Sequence, residues 1–225
     1  MTAPRARVGV LVRRALRDGR TRTVAFAYAF AAYAWLQAAG YKHTYPTLAD
    51  RQAFVRTFAG NAAIRLFYGY PYNVVTVGGY SAWRVGGTLA IAAAAFGVLA
   101  AVRALRGDED AGRTEIVLAG GVGRDAVYAS ALVAIAAATA VLWAAECAGF
   151  VLGGLPVGGS AYLALATVSV VPVFVGVGAV ASQVGSTRRT ALALGSAAVG
   201  LSWLLRVLAD TISGAAWLRW LTPLG

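Results

Sequence analysis

The stretch RALRGDEDAGRTEIVLAGGVGRD, residues 103–125, decides how the rest of the chain is arranged. It holds five of the nine acidic residues and four arginines, and the sequences on both sides of it are long and apolar. A charged side chain at the centre of a bilayer costs about 2.5 to 3.5 kcal/mol even on permissive insertion scales. The stretch, called the polar loop below, is therefore predicted to lie in water between two membrane spans.

Glycines and acids set the predicted local structure of the polar loop. Gly107 is expected to end the preceding helix, and Asp108 is placed to accept hydrogen bonds from the free amides of a new turn. The acids that follow complement the positive end of a helix. We predict a short helix over about residues 109–118, ended by Gly120 and Gly121.

The composition indicates a polytopic membrane protein. Of the 225 residues, 59% are hydrophobic and 13% are charged, whereas about a quarter of the residues of a soluble domain are charged. The net charge of +11 would suit nucleic acid, but the arginines lie at the ends of apolar runs instead of forming one stripe with interleaved aromatics. We therefore expect a lipid bilayer, and no nucleic acid, as partner.

The side chains that catalysis or metal binding would need are scarce. Cys147 is the only cysteine and His43 the only histidine, which disfavours an internal disulfide, a metal cluster and a Ser-His-acid triad. A phosphate-binding Gly-x-x-x-x-Gly-Lys-Ser/Thr loop needs a lysine, and Lys42 is the only one. The chain is not expected to be an enzyme, to hydrolyse ATP or to bind a cofactor.

We predict an all-α fold with about five transmembrane helices, forming a single transmembrane domain over residues 1–225. Apolar runs long enough to cross a bilayer support this prediction. The predicted spans are residues 24–40, 83–102, 126–149, 160–181 and 190–208. Residues 41–80 form a predicted outer segment, and 209–225 a predicted outer end. In the outer segment Thr47 and Asp50 resemble a capping box that opens a helix, and Pro71 ends the helical region.

An interfacial helix is predicted in residues 1–23, before the first span. Apolar side chains recur there at helical spacing, and arginines face the other way. The apolar ones are Val8, Leu11, Val12, Ala15 and Leu16, and the arginines are Arg13, Arg14, Arg17 and Arg20. Such a helix lies at the headgroup boundary. The helix is either a functional element at the membrane surface or only a basic anchor that fixes the topology.

The distribution of basic residues predicts a cytoplasmic amino terminus. Thirteen basic residues then lie in inner segments and seven in outer ones, in accord with the positive-inside rule. The inner ones are Arg5, Arg7, Arg13, Arg14, Arg17, Arg20, Arg22, Arg103, Arg106, Arg113, Arg124, Arg188 and Arg189; the outer ones are Lys42, Arg51, Arg56, Arg65, Arg84, Arg206 and Arg219. The polar loop is therefore expected on the cytoplasmic side.

Three strings of sequence together resemble a known family. They are LRGDEDAGRTEIVLAGGVGR (105–124), GNAAIRLFYGYPYNVVTVGGYSAWRVGG (60–87) and SQVGSTRR (182–189). Their residue patterns are similar to the motifs of ABC-2 type exporter permeases, although Ala62 stands where the family often has proline. The chain looks closest to the actinobacterial polyketide-antibiotic and multidrug branch, whose members consist of two six-span halves, and it resembles the N-terminal half. We expect either a fragment of such a protein or a short subunit.

The resemblance implies a membrane-spanning permease that moves hydrophobic small molecules outward across the bacterial plasma membrane. A separate cytoplasmic ATPase, holding ATP and magnesium, would dock on the polar loop, and a second permease half or a second copy would complete the assembly. The implied coupling residues are Asp108, Glu109, Asp110, Gly112, Arg113 and Glu115, with Ile116 and Leu118 as apolar contacts. The interfacial helix would match the elbow helix of these permeases. Alternatively, the loop is a solvated connector, or the protein is a non-transporting scaffold or sensor that binds a cytoplasmic partner.

Two features of the predicted third span have alternative explanations. Glu146 is an acid within the span, and such acids usually face the bundle interior or a water-filled cavity. It either pairs with an arginine such as Arg84 or Arg206, is solvated at the interface, or is a polar group on the substrate path. Gly149 and Gly153 allow close helix approach, and tight packing is favoured over a dimer contact.

Overall fold

The computed structural model describes residues 3–58, 61–212 and 214–224, which form helices and turns with no strand. The side chains of Arg5, Arg7, Ala62 and Arg65, and Gly60 of the second resemblance string, lie outside what is described. The helices are α1 Ala3–Thr44, α2 Leu48–Phe58, α3 Ala62–Tyr68, α4 Val77–Asp110, α5 Arg113–Ala119, α6 Arg124–Leu152, α7 Val157–Val184 and α8 Arg188–Thr211, followed by a 3-10 helix Ala216–Leu221.

Four of the described helices, α4, α6, α7 and α8, are long and apolar enough to cross a membrane. The prediction of an all-α, polytopic membrane protein is confirmed, and the last four predicted spans each lie within one of these helices. The predicted first span, 24–40, is not among the four, because tyrosines and Gln37 dilute its apolar character. That span stays a prediction.

The interfacial helix and the predicted first span are one continuous helix, α1. No proline occurs between residues 5 and 44, so nothing forces a break there. The predicted amphipathic pattern is present, since Val8, Leu11, Val12 and Ala15 are half-buried. Leu16 departs from it and is 41% exposed.

Helix α4 is longer than a bilayer requires. Its 34 residues extend about 51 Å at 1.5 Å per residue, against a hydrocarbon core of about 30 Å. It contains two π-helical turns, Ala82–Gly86 and Arg103–Gly107, with α-helical segments Val77–Ser81, Gly87–Val102 and Asp108–Asp110. Helix α7 is interrupted between its segments Val157–Val168 and Val171–Val184, just before Pro172, which lacks an N–H donor.

The chain divides into two compact units, and the first contains residues up to Phe26, Ala94–Val141 and Val171–Val199. Its core is built around Val98, which is 2% exposed. A Cβ on Gly178 would lie 3.1 Å from the Val98 carbonyl oxygen, and one on Gly195 would overlap the Val98 side chain. Glycines therefore let α7 and α8 approach α4 closely.

The second unit contains Ala27–Ala93, Leu142–Val170 and the residues from Gly200 onward. The rings of Tyr41 and Tyr80 stack in it with centroids 3.9 Å apart, and the Tyr41 hydroxyl donates to the Val74 carbonyl at 2.6 Å. The capping box is confirmed: the Thr47 amide donates to Asp50 Oδ2 at 3.0 Å, and the Asp50 amide donates to Thr47 Oγ1 at 3.2 Å. The helical region before Pro71 ends at Tyr68, as predicted.

The two glycines of the predicted third span pack within the chain. A Cβ on Gly149 would overlap the carbonyl oxygen of Ala31, and one on Gly153 would lie 2.6 Å from Ala38 Cβ. The first contact joins α6 to α1, and the second joins the residue directly after α6 to α1, both inside the second unit. Close helix packing, the favoured explanation, is what these glycines provide here.

We expect Gly149→Ala to lower the free energy of unfolding by about 1–3 kcal/mol, because an added methyl group has no space beside Ala31. The matched control is Gly200→Ala in α8, where a Cβ would meet nothing within 4 Å. Thermal unfolding of the purified protein in detergent measures both. Equal melting temperatures for the two variants would contradict the packing of α6 on α1.

Candidate functional site

The break in the polar loop lies at Gly112, and not at Gly107. Helix α4 continues through Gly107 to Asp110, and Gly112 has the left-handed φ of +66° that favours glycine. The prediction that Gly107 ends the helix and Asp108 opens a helix over 109–118 is therefore wrong. Gly107 is helical and buried, and a Cβ there would lie 3.4 Å from Arg188 Cδ. Its small size serves close packing instead of a turn.

The short helix α5, Arg113–Ala119, follows this break. It ends at the predicted glycine pair: the Gly120 amide donates to Val117 at 3.2 Å, and the Gly121 amide donates to Leu118 at 3.0 Å. Gly121 has a left-handed φ of +74°. The predicted end of the loop helix is confirmed, whereas its start lies about four residues later than expected.

An ion pair connects α5 to the end of α4. Arg113 Nη2 lies 2.6 Å from Asp108 Oδ1 and Arg113 Nε lies 3.0 Å from the same oxygen. Arg113 Nη2 also donates to the Gly107 carbonyl at 3.4 Å. The hydrogen bonds and charge of Asp108 raise the pKa of Arg113. Arg113 and Asp108, both predicted coupling residues, thus hold α5 against the end of α4 by pairing with each other.

A second set of contacts connects the loop to the start of α8. Arg106 Nη1 donates to Glu109 Oε2 at 3.2 Å, and its Nη2 donates to the Ser186 carbonyl oxygen. Arg106 Nε lies 3.2 Å from Asp110 Oδ1, but its N–H is not directed at that oxygen. Asp110 Oδ2 accepts the Arg188 amide at 2.7 Å. The carboxylate therefore caps a helix that begins 78 residues later in the chain.

These contacts bring together two of the strings that the sequence analysis treated separately, 105–124 and 182–189. Sequence reasoning missed the roles of Arg106, Ser186 and the Arg188 amide. The available signal was the absence of an acid at the start of α8, which leaves its amide groups without a local acidic cap. An acid from elsewhere in the chain could therefore serve there.

Glu115 and Ile116 are exposed side chains of α5. Ile116 is 74% exposed, and Glu115 is exposed and forms no ion pair within the described residues. Leu118 is half-buried, because residues two positions apart point to different sides of a helix. Of the two predicted apolar contacts, Ile116 is therefore the more exposed, and the role of both in coupling stays a prediction.

Glu146 in α6 is fully buried at 0% exposure, and neither of its oxygens has a hydrogen-bond partner among the described residues. The neighbouring Thr167 hydroxyl donates to the Leu163 carbonyl. The two arginines considered as partners of Glu146 contact other residues. Arg206 Nε lies 3.9 Å from Asp210 Oδ2, and Arg84 Cζ lies 3.9 Å from the centroid of the Tyr68 ring. Pairing with these arginines and solvation at the interface are both wrong. A place on the substrate path stays a prediction, and Glu146 lines neither of the two cavities described.

Comparison with known proteins identifies one family. Residues 14–225 match the family model described as multidrug efflux system permease Rv1217c, C-terminal domain. A relative in Mycobacterium tuberculosis (strain ATCC 25618 / H37Rv), named multidrug efflux system permease protein Rv1217c, is 31% identical over 181 residues, which are 80% of this chain and 32% of the relative. The chain thus spans about a third of that relative's length.

These matches confirm the resemblance to exporter permeases but not the choice of half. The matching model is described as a C-terminal domain, which does not support the expectation of an N-terminal half.

We expect Asp110→Ala to expose the Arg188 amide at the start of α8, because that amide loses its acceptor. Removing such a cap costs about 0.5–2 kcal/mol, so hydrogen exchange of the Arg188 amide should accelerate roughly fivefold. Asp110→Asn keeps an acceptor oxygen and should change exchange less than about twofold. Glu109→Ala is the control, since Glu109 contacts Arg106 but not α8. Equal effects of Asp110→Ala and Glu109→Ala would contradict the capping role.

Proposed function

Because the chain belongs to the multidrug efflux system permease Rv1217c C-terminal domain family, we propose that it is a membrane-spanning permease subunit of an ABC exporter. It moves hydrophobic, drug-like compounds outward, and a separate cytoplasmic ATPase docked on the polar loop hydrolyses the ATP. ATP and magnesium belong to that partner. The observation that carries the proposal is the construction of the loop: an outward Glu115 and Ile116 on a short helix held by ion pairs.

The contacts of the loop suit the transmission of movement. Helix α5 is joined to α4 through Arg113 and Asp108, and the same end of α4 is joined to α8 through Asp110 and the Arg188 amide. A displacement of α5 by a docked ATPase is therefore passed to two spanning helices. A solvated connector needs no such bonds to α8, so the coupling proposal accounts for a feature that the connector explanation leaves unused.

The partner surface on α5 is small, with one apolar and one acidic side chain. Ile116 fits an apolar groove, and Glu115 fits a basic or amide donor beside it. Truncating one partner of a buried charged hydrogen bond at an interface costs roughly 2 to 5 kcal/mol. Arg113, by contrast, acts within the loop, where it holds α5 against Asp108. A second permease half or a second copy of the chain completes the transport path.

We expect Glu115→Ala, and independently Ile116→Ala, to weaken binding of the ATPase about thirtyfold or more. Asp125→Ala is the control, because Asp125 is exposed at the start of α6, outside α5. The tagged protein is co-expressed and purified with its ATPase, and transport of hydrophobic drugs is measured in parallel. Full ATPase binding and transport by both α5 variants would overturn the proposal. Binding of another cytoplasmic protein without transport would favour a scaffold or sensor.

The proposed orientation can be tested separately by measuring the chemical labelling of single-cysteine variants. With Cys147 replaced by serine, a cysteine at exposed Ala111 should react with a membrane-impermeant maleimide only after the cells are opened, because the polar loop faces the cytoplasm. A cysteine at exposed Ala49, which lies between the capping residues of α2, should react in intact cells. Labelling of position 111 in intact cells would contradict the orientation.

A further inference from the structure

A groove of about 680 Å³ lies within the first unit, between α1, α4, α5 and α6. Its floor is apolar and is formed by small side chains of α6, such as Ala134 and Ala138, together with Phe96 of α4. Five arginines and two aspartates stand around it. The groove is thus apolar along its length and positively charged at its rim.

Only part of the positive charge is neutralised. Arg14 lies 3.7 Å from Asp18, and Arg113 is bound by Asp108. Arg22 and Arg103 form no ion pair with any described carboxylate. The Arg22 side chain is half-buried, and one of its nitrogens donates to the Leu99 carbonyl at 3.2 Å. Burial, followed by the charges of Arg103 and Arg188, lowers the pKa of Arg22.

The position of the groove favours one kind of occupant. Apolar lining residues are open to the surroundings, with Val24 60% and Val141 47% exposed. Val141 belongs to a helix long and apolar enough to cross the membrane, so we expect lipid hydrocarbon beside this part of the groove. Unpaired arginines beside spanning helices are a known arrangement for acidic lipid headgroups. An acyl chain and a phosphate would meet matching surfaces here.

We propose that the groove binds an acidic phospholipid from the leaflet that faces the polar loop. Its phosphate lies between Arg22 and Arg103, and one acyl chain lies along the alanine floor of α6. The lipid supplies the negative charge that the protein lacks at this point. It also fills the space between α1 and α6, so that both helices keep their positions beside the polar loop.

The headgroup contact is tested by native mass spectrometry of the purified protein titrated with palmitoyl-oleoyl-phosphatidylglycerol or the corresponding phosphatidylcholine. The wild type should bind phosphatidylglycerol at least about tenfold more tightly than phosphatidylcholine. The double variant Arg22→Gln, Arg103→Gln should reduce this preference to within about twofold. Arg17→Gln, an exposed arginine of α1 that does not line the groove, should keep it.

The acyl contact has its own matched pair on α6. Ala137 is exposed and lines the groove, whereas its neighbour Ala136 is exposed and does not. Ala137→Trp should therefore lower phosphatidylglycerol binding about tenfold and Ala136→Trp should not. Both sites are on the surface, so this pair tests the groove even if the arginine variants fold poorly.

Three results would overturn the proposal. They are equal binding of both lipids by the wild type, equal effects within the tryptophan pair, and binding of dodecyl phosphate at the groove with no displacement by phosphatidylglycerol. The last result would assign the groove to a free anionic amphiphile instead of a membrane lipid.

Discussion

The exclusion of charge from hydrocarbon is the constraint on which the rest of this structure depends. Helix α4 continues beyond what the bilayer needs, and its acidic end therefore stands in water. Once there, the acids are bound and not merely solvated. Asp108 holds Arg113, while Asp110 holds the Arg188 amide and lies beside Arg106. A stretch that has to be polar becomes an ordered element because Asp108, Glu109 and Asp110 each lie within 3.2 Å of an arginine nitrogen.

The same bonds explain how a seven-residue helix keeps a defined position. Helices this short are marginal by themselves, and α5 has only one turn beyond its first. At its start, Arg113 holds the helix to Asp108, and at its end Gly120 and Gly121 terminate it. Glu115 and Ile116 are then exposed. The charged half of the loop thus supports the exposed half. In the proposed function, the first transmits force and the second recognises the ATPase.

Local signals in the sequence predicted much of the fold but less of the candidate site. The later four spans follow from apolar runs, the start of α2 from Thr47 and Asp50, and the end of α5 from two glycines, all of which act within a few residues. The role of Gly107 depends on Arg188, which is distant in sequence, so its identity as glycine could not distinguish a break from a close contact. The cap of α8 by Asp110 spans 78 residues and has no local pattern. Glu146 was identified as unusual, but whether an arginine pairs with it depends on where Arg84 and Arg206 point.

The central claim, that an ATPase docks on α5 and acts through the start of α8, is tested most directly by hydrogen–deuterium exchange of the protein with and without its cognate ATPase. The account predicts slower exchange in residues 113–119, through direct contact, and at the Arg188 amide, through Asp110. Exchange in α2, which belongs to the predicted outer segment, should stay unchanged. Unaltered exchange in α5 when the ATPase is bound, or protection at α2 instead, would contradict it.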